Sequence, residues 1–180
     1  MEIKLIESTN TSNLNEDIIR DSFNIRENWS LKESFNKKSS IKKNLYDIKK
    51  DNIHIGVCLC WQLEYFLYIE YFAIERKHRC LGYGSAALKE LLKIYNNIIV
   101  EVVPENINSL ACRRINWYKS LGFHLHDNIY PYPYFLDDGK VTFIEFRIMS
   151  SDKLNDYEYK KAVNLIHKNI YNLDDFYKIK

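Results

Sequence analysis

The stretch FLYIEYFAIERKHRCLGYGSAALKELLKIY, residues Phe66–Tyr95, contains the change from strand to helix on which the fold depends. Residues 67–74 are apolar or aromatic except for Glu70, a composition typical of a strand that is buried on both faces. From Ser85 onward, apolar residues recur at the spacing of one helix face, at Leu88, Leu91, Leu92 and Tyr95. The sequence therefore predicts a buried strand, a loop with two glycines, and a helix that begins inside this loop.

The loop has features that suit a bound phosphate group. The first turn of a helix leaves backbone N–H groups without internal partners, and the helix dipole adds partial positive charge there. Gly82 and Gly84 have no Cβ atoms, so a phosphate can approach these N–H groups, and Arg79 supplies a full positive charge. The dinucleotide pattern GxGxxG and the Walker pattern GxxxxGK(S/T) are absent. A tight strand–helix turn without any ligand would use the same glycines.

Two motifs resemble those of a known family. Residues Arg79–Gly84, RCLGYG, fit the pattern (R/Q)-x-x-G-x-(G/A) between a buried strand and a helix. Residues Trp117–Phe123, WYKSLGF, fit the pattern (F/W)-Y-x-x-x-G-F. Both motifs are similar to those of the GNAT superfamily of N-acetyltransferases, and the resemblance covers roughly residues 52–149.

The resemblance implies an α/β (α+β) fold, in which helices cover both faces of a mixed, mostly antiparallel sheet of six or seven strands. We expect an acetyltransferase domain at residues 1–150 and an extra C-terminal helix at residues 151–180 that packs on the same domain. The strand at residues 98–103 should lie parallel to the strand at 67–74, because a helix separates them. Parallel neighbours that diverge leave a slot, and the resemblance implies that acetyl-CoA binds there.

Composition and charge limit the classes of partner. The chain has 180 residues, enough for one domain with its own core, and 26 basic against 24 acidic residues give a net charge of +2. This balance does not favour a nucleic-acid partner. The sequence has no apolar run of 18 residues and no signal-peptide pattern at its start, so we expect a soluble protein of the cytoplasm without membrane contact.

The four cysteines and five histidines do not have the spacing of a metal site, and we predict none. Cys58 and Cys60 lie on one face of a predicted strand and are best interpreted as small buried hydrophobic residues. Cys80 lies in the glycine loop beside cationic residues, where exposure and a lowered pKa would make a thiol reactive.

The resemblance further implies which residues contact acetyl-CoA, the expected co-substrate. They lie at the end of the strand at residues 67–74 and in the glycine loop up to the start of the helix: Phe72, Ala73, Ile74, Arg79, Cys80, Leu81, Gly82, Tyr83, Gly84 and Ser85.

Tyr118 is the predicted general acid. It matches the family tyrosine whose phenol lies by the coenzyme sulfur, and a phenol is suited to protonating a departing thiolate. A tyrosine that only fills the core is the alternative. Many family members have an asparagine seven residues earlier, where this chain has Ala111, so that coenzyme contact is not carried over.

Glu70 is the predicted general base. It is the one carboxylate in an apolar strand, where desolvation should raise its pKa, and strand alternation would put it on one face with Phe72 and Ile74. One alternative is a structural carboxylate paired with an arginine such as Arg113 or Arg114. The other is that Glu101, on the adjacent strand, is the base.

Three aromatic residues are predicted to bind the acceptor. A short strand is predicted at Ile3–Ile6, and by resemblance the two helices after it and their joining loop help to wall the acceptor site, which implicates Trp29. Tyr132 and Tyr134 lie in the segment YPYPYF, where two prolines fix aromatic rings that attract cationic amines. The alternatives are that Trp29 belongs to the core and that the tyrosines pack against the C-terminal helix.

The predicted function is direct transfer of an acetyl group from acetyl-CoA to an amine, in a small molecule or a peptide, by a monomer or a homodimer. Two alternatives are a non-catalytic acyl-CoA-binding regulatory domain and an interaction protein that acts through its C-terminal helix. That helix has an apolar stripe formed by Tyr159, Ala162, Val163, Ile166 and Ile170. The stripe should dock on the parent domain, with a dimer contact as the alternative.

Overall fold

A computed structural model describes residues 2–23, 31–136 and 138–178. The chain divides into two compact units, Met1–Asn96 and Asn97–Lys180. Within the described ranges it forms eight strands and five α-helices. None of these helices is both long enough and apolar enough to cross a membrane.

The first unit is an antiparallel sheet with three helices. Its strands pair in chain order, β1 with β2, β2 with β3 and β3 with β4. The bounds of the elements are β1 Ile3–Ser8, α1 Asn13–Ser22, α2 Leu31–Asn36, β2 Lys43–Lys50, β3 Ile53–Leu63, β4 Phe66–Ile74 and α3 Tyr83–Ile94. The predicted strand, glycine loop and helix are confirmed by β4 and α3.

The core of the first unit lies between its sheet and helices α1 and α2. Apolar side chains of both helices pack on one sheet face in a cluster of Ile18, Ile19, Leu31, Leu45, Val57, Leu59, Tyr71 and Ala73. Strand β3 is buried continuously from Ile55 to Trp61, because it has a paired strand on each side. The turn Asp51–Asn52 joins β2 to β3 with two positive φ angles, +48° and +67°, the pattern of a type I′ hairpin.

The second unit is organised around one long strand. Its elements are β5 Ile98–Val102, α4 Ser109–Ser120, β6 His124–Leu125, β7 Tyr130–Phe135, β8 Val141–Ser150 and α5 Asp156–Ile166. The first half of β8 pairs with β7, and its second half pairs with β5 and β6, all antiparallel. A π-helical turn, His167–Tyr171, continues α5.

The C-terminal helix is held by the rest of the second unit. The predicted apolar stripe of α5 and the following turn is buried, with Tyr159, Ala162, Val163, Ile166 and Ile170 all at most 2% exposed. Polar contacts fix the same segment, because the Tyr159 hydroxyl donates to the Asn128 carbonyl and the Tyr171 hydroxyl donates to Glu101. The stripe is therefore covered within the chain itself.

Candidate active site

A β-bulge re-aims the side chain of Glu70. Ile69 pairs with Cys60 and Tyr71 pairs with Leu59, so Glu70 is an extra residue of β4 between two successive residues of β3. Such a bulge interrupts the alternation of side chains and is frequent beside active sites. Phe72 pairs with Cys58 and shares its sheet face.

The carboxylate of Glu70 lies on the opposite face from Phe72. Its Oε2 accepts a hydrogen bond of 2.6 Å from the indole nitrogen of Trp61, and its Oε1 accepts one of 2.6 Å from the Ser34 hydroxyl on α2. Trp61 and Cys58 point to opposite faces of β3, being three residues apart. The expectation that Glu70 shares a face with Phe72 and Ile74 is therefore wrong, because the bulge reverses the alternation.

The surroundings of Glu70 favour its neutral form more than water does. Burial raises the pKa of the Glu70 carboxyl, and the hydrogen bonds from Ser34 and Trp61 oppose this rise. The positive charges of Lys37 and Lys43 oppose it as well. Among the described residues, the hydrogen-bond donors to Glu70 are Ser34 and Trp61 rather than an arginine, which was the alternative interpretation.

Lys43 contacts both residues that donate hydrogen bonds to Glu70. Its ammonium donates to the carbonyls of Ser34, Phe35 and Lys37 at distances of 3.2, 2.5 and 2.5 Å, so it satisfies the C-terminal end of α2. The same nitrogen lies 4.9 Å from the ring centre of Trp61. Burial lowers the pKa of Lys43, and the charge of Glu70 opposes this shift.

The glycine loop has the geometry of a phosphate site. Gly82 is the N-cap of α3 with φ +82°, and it has no side chain that could accept from the N–H groups of the first turn. A Cβ built on Gly82 would meet no heavy atom within 4 Å, so the space in front of this turn is open. Cys80 also has a left-handed backbone, φ +62°, and both it and Leu81 are exposed. These residues fit the phosphates of coenzyme A.

Arg79 is held by helix α1. Its Nη2 atom lies 2.6 Å from Oδ2 of Asp21 and 2.9 Å from the hydroxyl of Ser22, and its Nε donates to the Ile74 carbonyl at 2.8 Å. Asp21 also lies 3.8 Å from Arg76. The charge of Arg79 is thus opposed by a carboxylate, which the sequence-based expectation of a simple cation at the loop did not include.

Other predicted cofactor residues of the first unit occupy two environments. The Ala73 side chain is part of the core under α1, so only its backbone is available to a ligand. Tyr83, Gly84 and Ser85 form the first turn of α3 and are half-buried. The ring of Tyr83 lies 5.6 Å from the ammonium of Lys50.

Tyr118 is positioned by the end of helix α4. Gly122 has φ +90° and its N–H donates to the Lys119 carbonyl, while the Phe123 N–H donates to the Tyr118 carbonyl. These two bonds form a Schellman motif, which explains the spacing of Tyr118, Gly122 and Phe123 in the sequence. The rings of Tyr118 and Phe123 are 5.2 Å apart, and Tyr118 is buried.

Two other residues named in the sequence analysis, one for a coenzyme contact and one as the alternative base, have structural partners. Ala111, at the family's asparagine position, donates its N–H to the side chain of Asn108, the N-cap of α4. Glu101, the alternative base, accepts a hydrogen bond of 3.0 Å from the Tyr171 hydroxyl of the C-terminal segment.

The predicted acceptor residues differ in their surroundings. The ring of Tyr132 stacks on Phe146 at 4.3 Å and meets Tyr171 edge-on at 5.7 Å. Tyr134 is half-buried on the same strand, β7. Packing against the C-terminal segment, one of the two interpretations, therefore holds for the Tyr132 ring. Trp29 lies outside the described residues.

A protein-family model matches more than half of the chain. The acetyltransferase (GNAT) family model matches residues 9–123 of the 180. The chain belongs to the GNAT acetyltransferase family. A search of curated protein sequences finds no significant match.

Solved structures of GNAT acetyltransferases share the fold. A structure assigned to the family from Bacteroides thetaiotaomicron has a TM-score of 0.80 and 24% identity, covering 97% of this chain and 100% of that chain. An acetyltransferase from Elizabethkingia anophelis with acetyl-CoA bound has a TM-score of 0.54 and 15% identity, covering 84% and 98%. A Bacillus subtilis acetyltransferase in complex with CoA has a TM-score of 0.57 and 13% identity, covering 85% and 100%. The predicted GNAT fold is confirmed.

Sequence reasoning missed the side chains that hold Glu70, Arg79 and the end of α2 in place. Ser34 and Trp61 bind Glu70, Asp21 binds Arg79, and Lys43 binds the end of α2. The one available signal was Trp61, since a buried indole N–H requires an acceptor. In residues 2–23, 31–136 and 138–178, no group of three His, Cys, Asp or Glu side chains could hold a metal ion.

Proposed function

We propose that this protein is an N-acetyltransferase that transfers the acetyl group of acetyl-CoA directly to an amine. The observation that carries the proposal is Glu70, a carboxylate re-aimed by a bulge and held by two donors, in a chain of the GNAT acetyltransferase family. In the reaction the amine nitrogen forms a bond to the thioester carbonyl carbon, the C–S bond breaks, and coenzyme A leaves as its thiol.

Glu70 is the proposed general base for this reaction. An amine must lose a proton to become a nucleophile or to complete the transfer, and a carboxylate accepts that proton best when its pKa is raised toward the working pH. Burial shifts the pKa of Glu70 in this direction. The donors Ser34 and Trp61 each use one carboxylate oxygen and leave the second lone pair of each oxygen for an incoming proton.

Tyr118 is the proposed general acid. A phenol can donate a proton to the leaving thiolate, and the Schellman motif fixes the turn of α4 that carries this side chain. The open first turn of α3 at Gly82 is the proposed phosphate contact of coenzyme A, with Tyr83, Gly84 and Ser85 supplying N–H groups.

A thiol-release assay with acetyl-CoA and a panel of amines tests the proposal, paired with calorimetry of acetyl-CoA binding. We expect turnover with at least one amine, and a fall of about 10²–10⁴-fold in Glu70→Gln and in Tyr118→Phe, the usual effect of a positioned acid or base. Both variants should keep the affinity for acetyl-CoA. Binding without turnover across the panel would favour the non-catalytic acyl-CoA-binding alternative, and wild-type turnover in either variant would remove that residue's role.

A further inference from the structure

We propose that Lys43 is a positioning residue of the acetyl-transfer site, which fixes helix α2 and sets the charge environment of Glu70. The inference rests on the proposed function for its kinetic consequence, but its structural part stands on contacts within the first unit. Lys43 lies at the start of β2, outside both family motifs.

The first step of the argument is that Lys43 acts as the C-terminal cap of α2. The last carbonyls of a helix have no internal partners, and α2 has six residues, too few to be stable alone. The Lys43 ammonium has three donors, and the carbonyls of Ser34, Phe35 and Lys37 use all of them. A positive charge at a helix C-terminus is also favoured by the helix dipole.

The second step is that this cap brings the donors of Glu70 together. Ser34, whose carbonyl binds Lys43, donates its hydroxyl to Oε1 of Glu70. Trp61, whose ring lies under the ammonium at 4.9 Å, donates its indole N–H to Oε2. Ser34 and Trp61 are buried, with exposures of 1% and 0%, so neither hydrogen bond has bulk water as a substitute. Loss of Lys43 removes a contact from each donor at once.

The third step is electrostatic. Among the described side chains, the positive charges that act on Glu70 are those of Lys43 on β2 and Lys37 after α2, while Ser34 on α2 and Trp61 on β3 are neutral donors to it. A nearby cation stabilises the carboxylate form, so removal of the Lys43 charge raises the pKa of Glu70. That change would hold Glu70 protonated at a pH where the wild-type residue can accept a proton.

The test compares Lys43→Met with Lys42→Met. Lys42 is the adjacent, exposed lysine, so both variants remove one charge and retain an unbranched side chain. Titration of the Glu70 carboxyl carbon by NMR, assigned through Glu70→Gln, should show a midpoint raised by about half a pH unit or more in Lys43→Met alone. Calorimetry should give wild-type acetyl-CoA affinity for both variants, and the KM for the amine should rise several-fold only in Lys43→Met.

A Glu70 midpoint in Lys43→Met equal to that in Lys42→Met would overturn the inference. Lys43→Gln keeps a donor for the α2 carbonyls without a charge, and it replaces Lys43→Met if that variant does not fold. It should raise the Glu70 midpoint while the amine KM stays closer to wild type, and an unchanged midpoint there also counts against the inference. If no amine is turned over, the proposed function fails, while the NMR comparison still decides the role of Lys43.

Discussion

His167 should make the stability of the second unit depend on pH. Its imidazole is fully buried, with Nε2 at 3.0 Å from the Pro131 carbonyl, so the neutral ring donates from Nε2. Nδ1 has no hydrogen-bond partner among the described residues. Protonation would place a second N–H there without an acceptor. Burial accordingly lowers the pKa of His167 from 6.5 to about 4, and the Pro131 hydrogen bond opposes part of the shift.

The sign of the effect follows from proton binding. In the unfolded chain a histidine binds its proton with a pKa near 6.5, whereas His167 in the folded protein resists protonation down to about pH 4. Between these values the unfolded chain binds more protons, so the free energy of unfolding rises with pH. The stabilisation is complete above pH 6.5 and is lost as the pH falls. The whole difference corresponds to about 3 kcal/mol, of which about 2 kcal/mol is lost at pH 5.

Urea unfolding of the wild type and His167→Gln at pH 8 and pH 5 measures the contribution of His167 to the free energy of unfolding. Glutamine does not titrate, and its amide can still donate toward the Pro131 carbonyl. The stability difference between wild type and variant should shrink by about 2 kcal/mol from pH 8 to pH 5. Contributions of Glu70 and His126 are common to both proteins and cancel. Replacement of the exposed His124 by glutamine is the matched control for the substitution itself.

Attraction between the His167 imidazolium and the surrounding aromatic rings is the effect that could reverse this reasoning. The rings of Tyr130, Phe143 and Phe176 lie 5.5, 5.9 and 5.7 Å from the His167 ring. If their faces attracted the imidazolium more strongly than desolvation opposes it, the histidine would titrate at or above pH 6.5. An NMR titration of the His167 ring with such a midpoint, or a constant stability difference at both pH values, would contradict the prediction.

Two further predictions concern the ligands. Gly82→Val should abolish coenzyme A binding in calorimetry, whereas Gly139→Val, which has a similar φ of +80° and equally open space, should cost similar stability and keep the affinity. Equal affinities in the two variants would contradict the phosphate site. Alanine at both Tyr132 and Tyr134 should raise the KM for the amine and leave acetyl-CoA affinity unchanged, if these rings bind the acceptor. A double variant that loses thermal stability but keeps both kinetic constants would assign the rings to packing alone.

Local patterns were sufficient to predict the strand, loop and helix around Gly82. Periodicity, a lone carboxylate and a glycine spacing are all visible within 30 residues of sequence, and they depend on backbone geometry that neighbours hardly alter. The same holds for the end of α4, where the spacing of Tyr118, Gly122 and Phe123 is that of one helix C-terminus.

Long-range partners and the register of β4 could not be predicted in this way. Asp21 is 58 positions from Arg79 and Ser34 is 36 positions from Glu70, so each contact depends on how α1 and α2 pack on the sheet. The bulge at Glu70 is a one-residue change in pairing, and one residue is enough to move a side chain to the other face. The face of Glu70 was therefore predicted wrongly, although the expected upward shift of its pKa by burial is found.

These polar contacts fix the positions of α1 and α2 along β4 more closely than apolar packing alone would. The end of α1 is tied through Asp21 to Arg79 and thus to the Ile74 carbonyl at the end of β4, while α2 is tied to Glu70 in the middle of the same strand. The two attachment points are four residues apart, about 13 Å along a strand. Apolar side chains tolerate small sliding movements, whereas charge-assisted hydrogen bonds fix distance and direction. The two helices are thereby held in register with the glycine loop at one point and with the proposed base at the other.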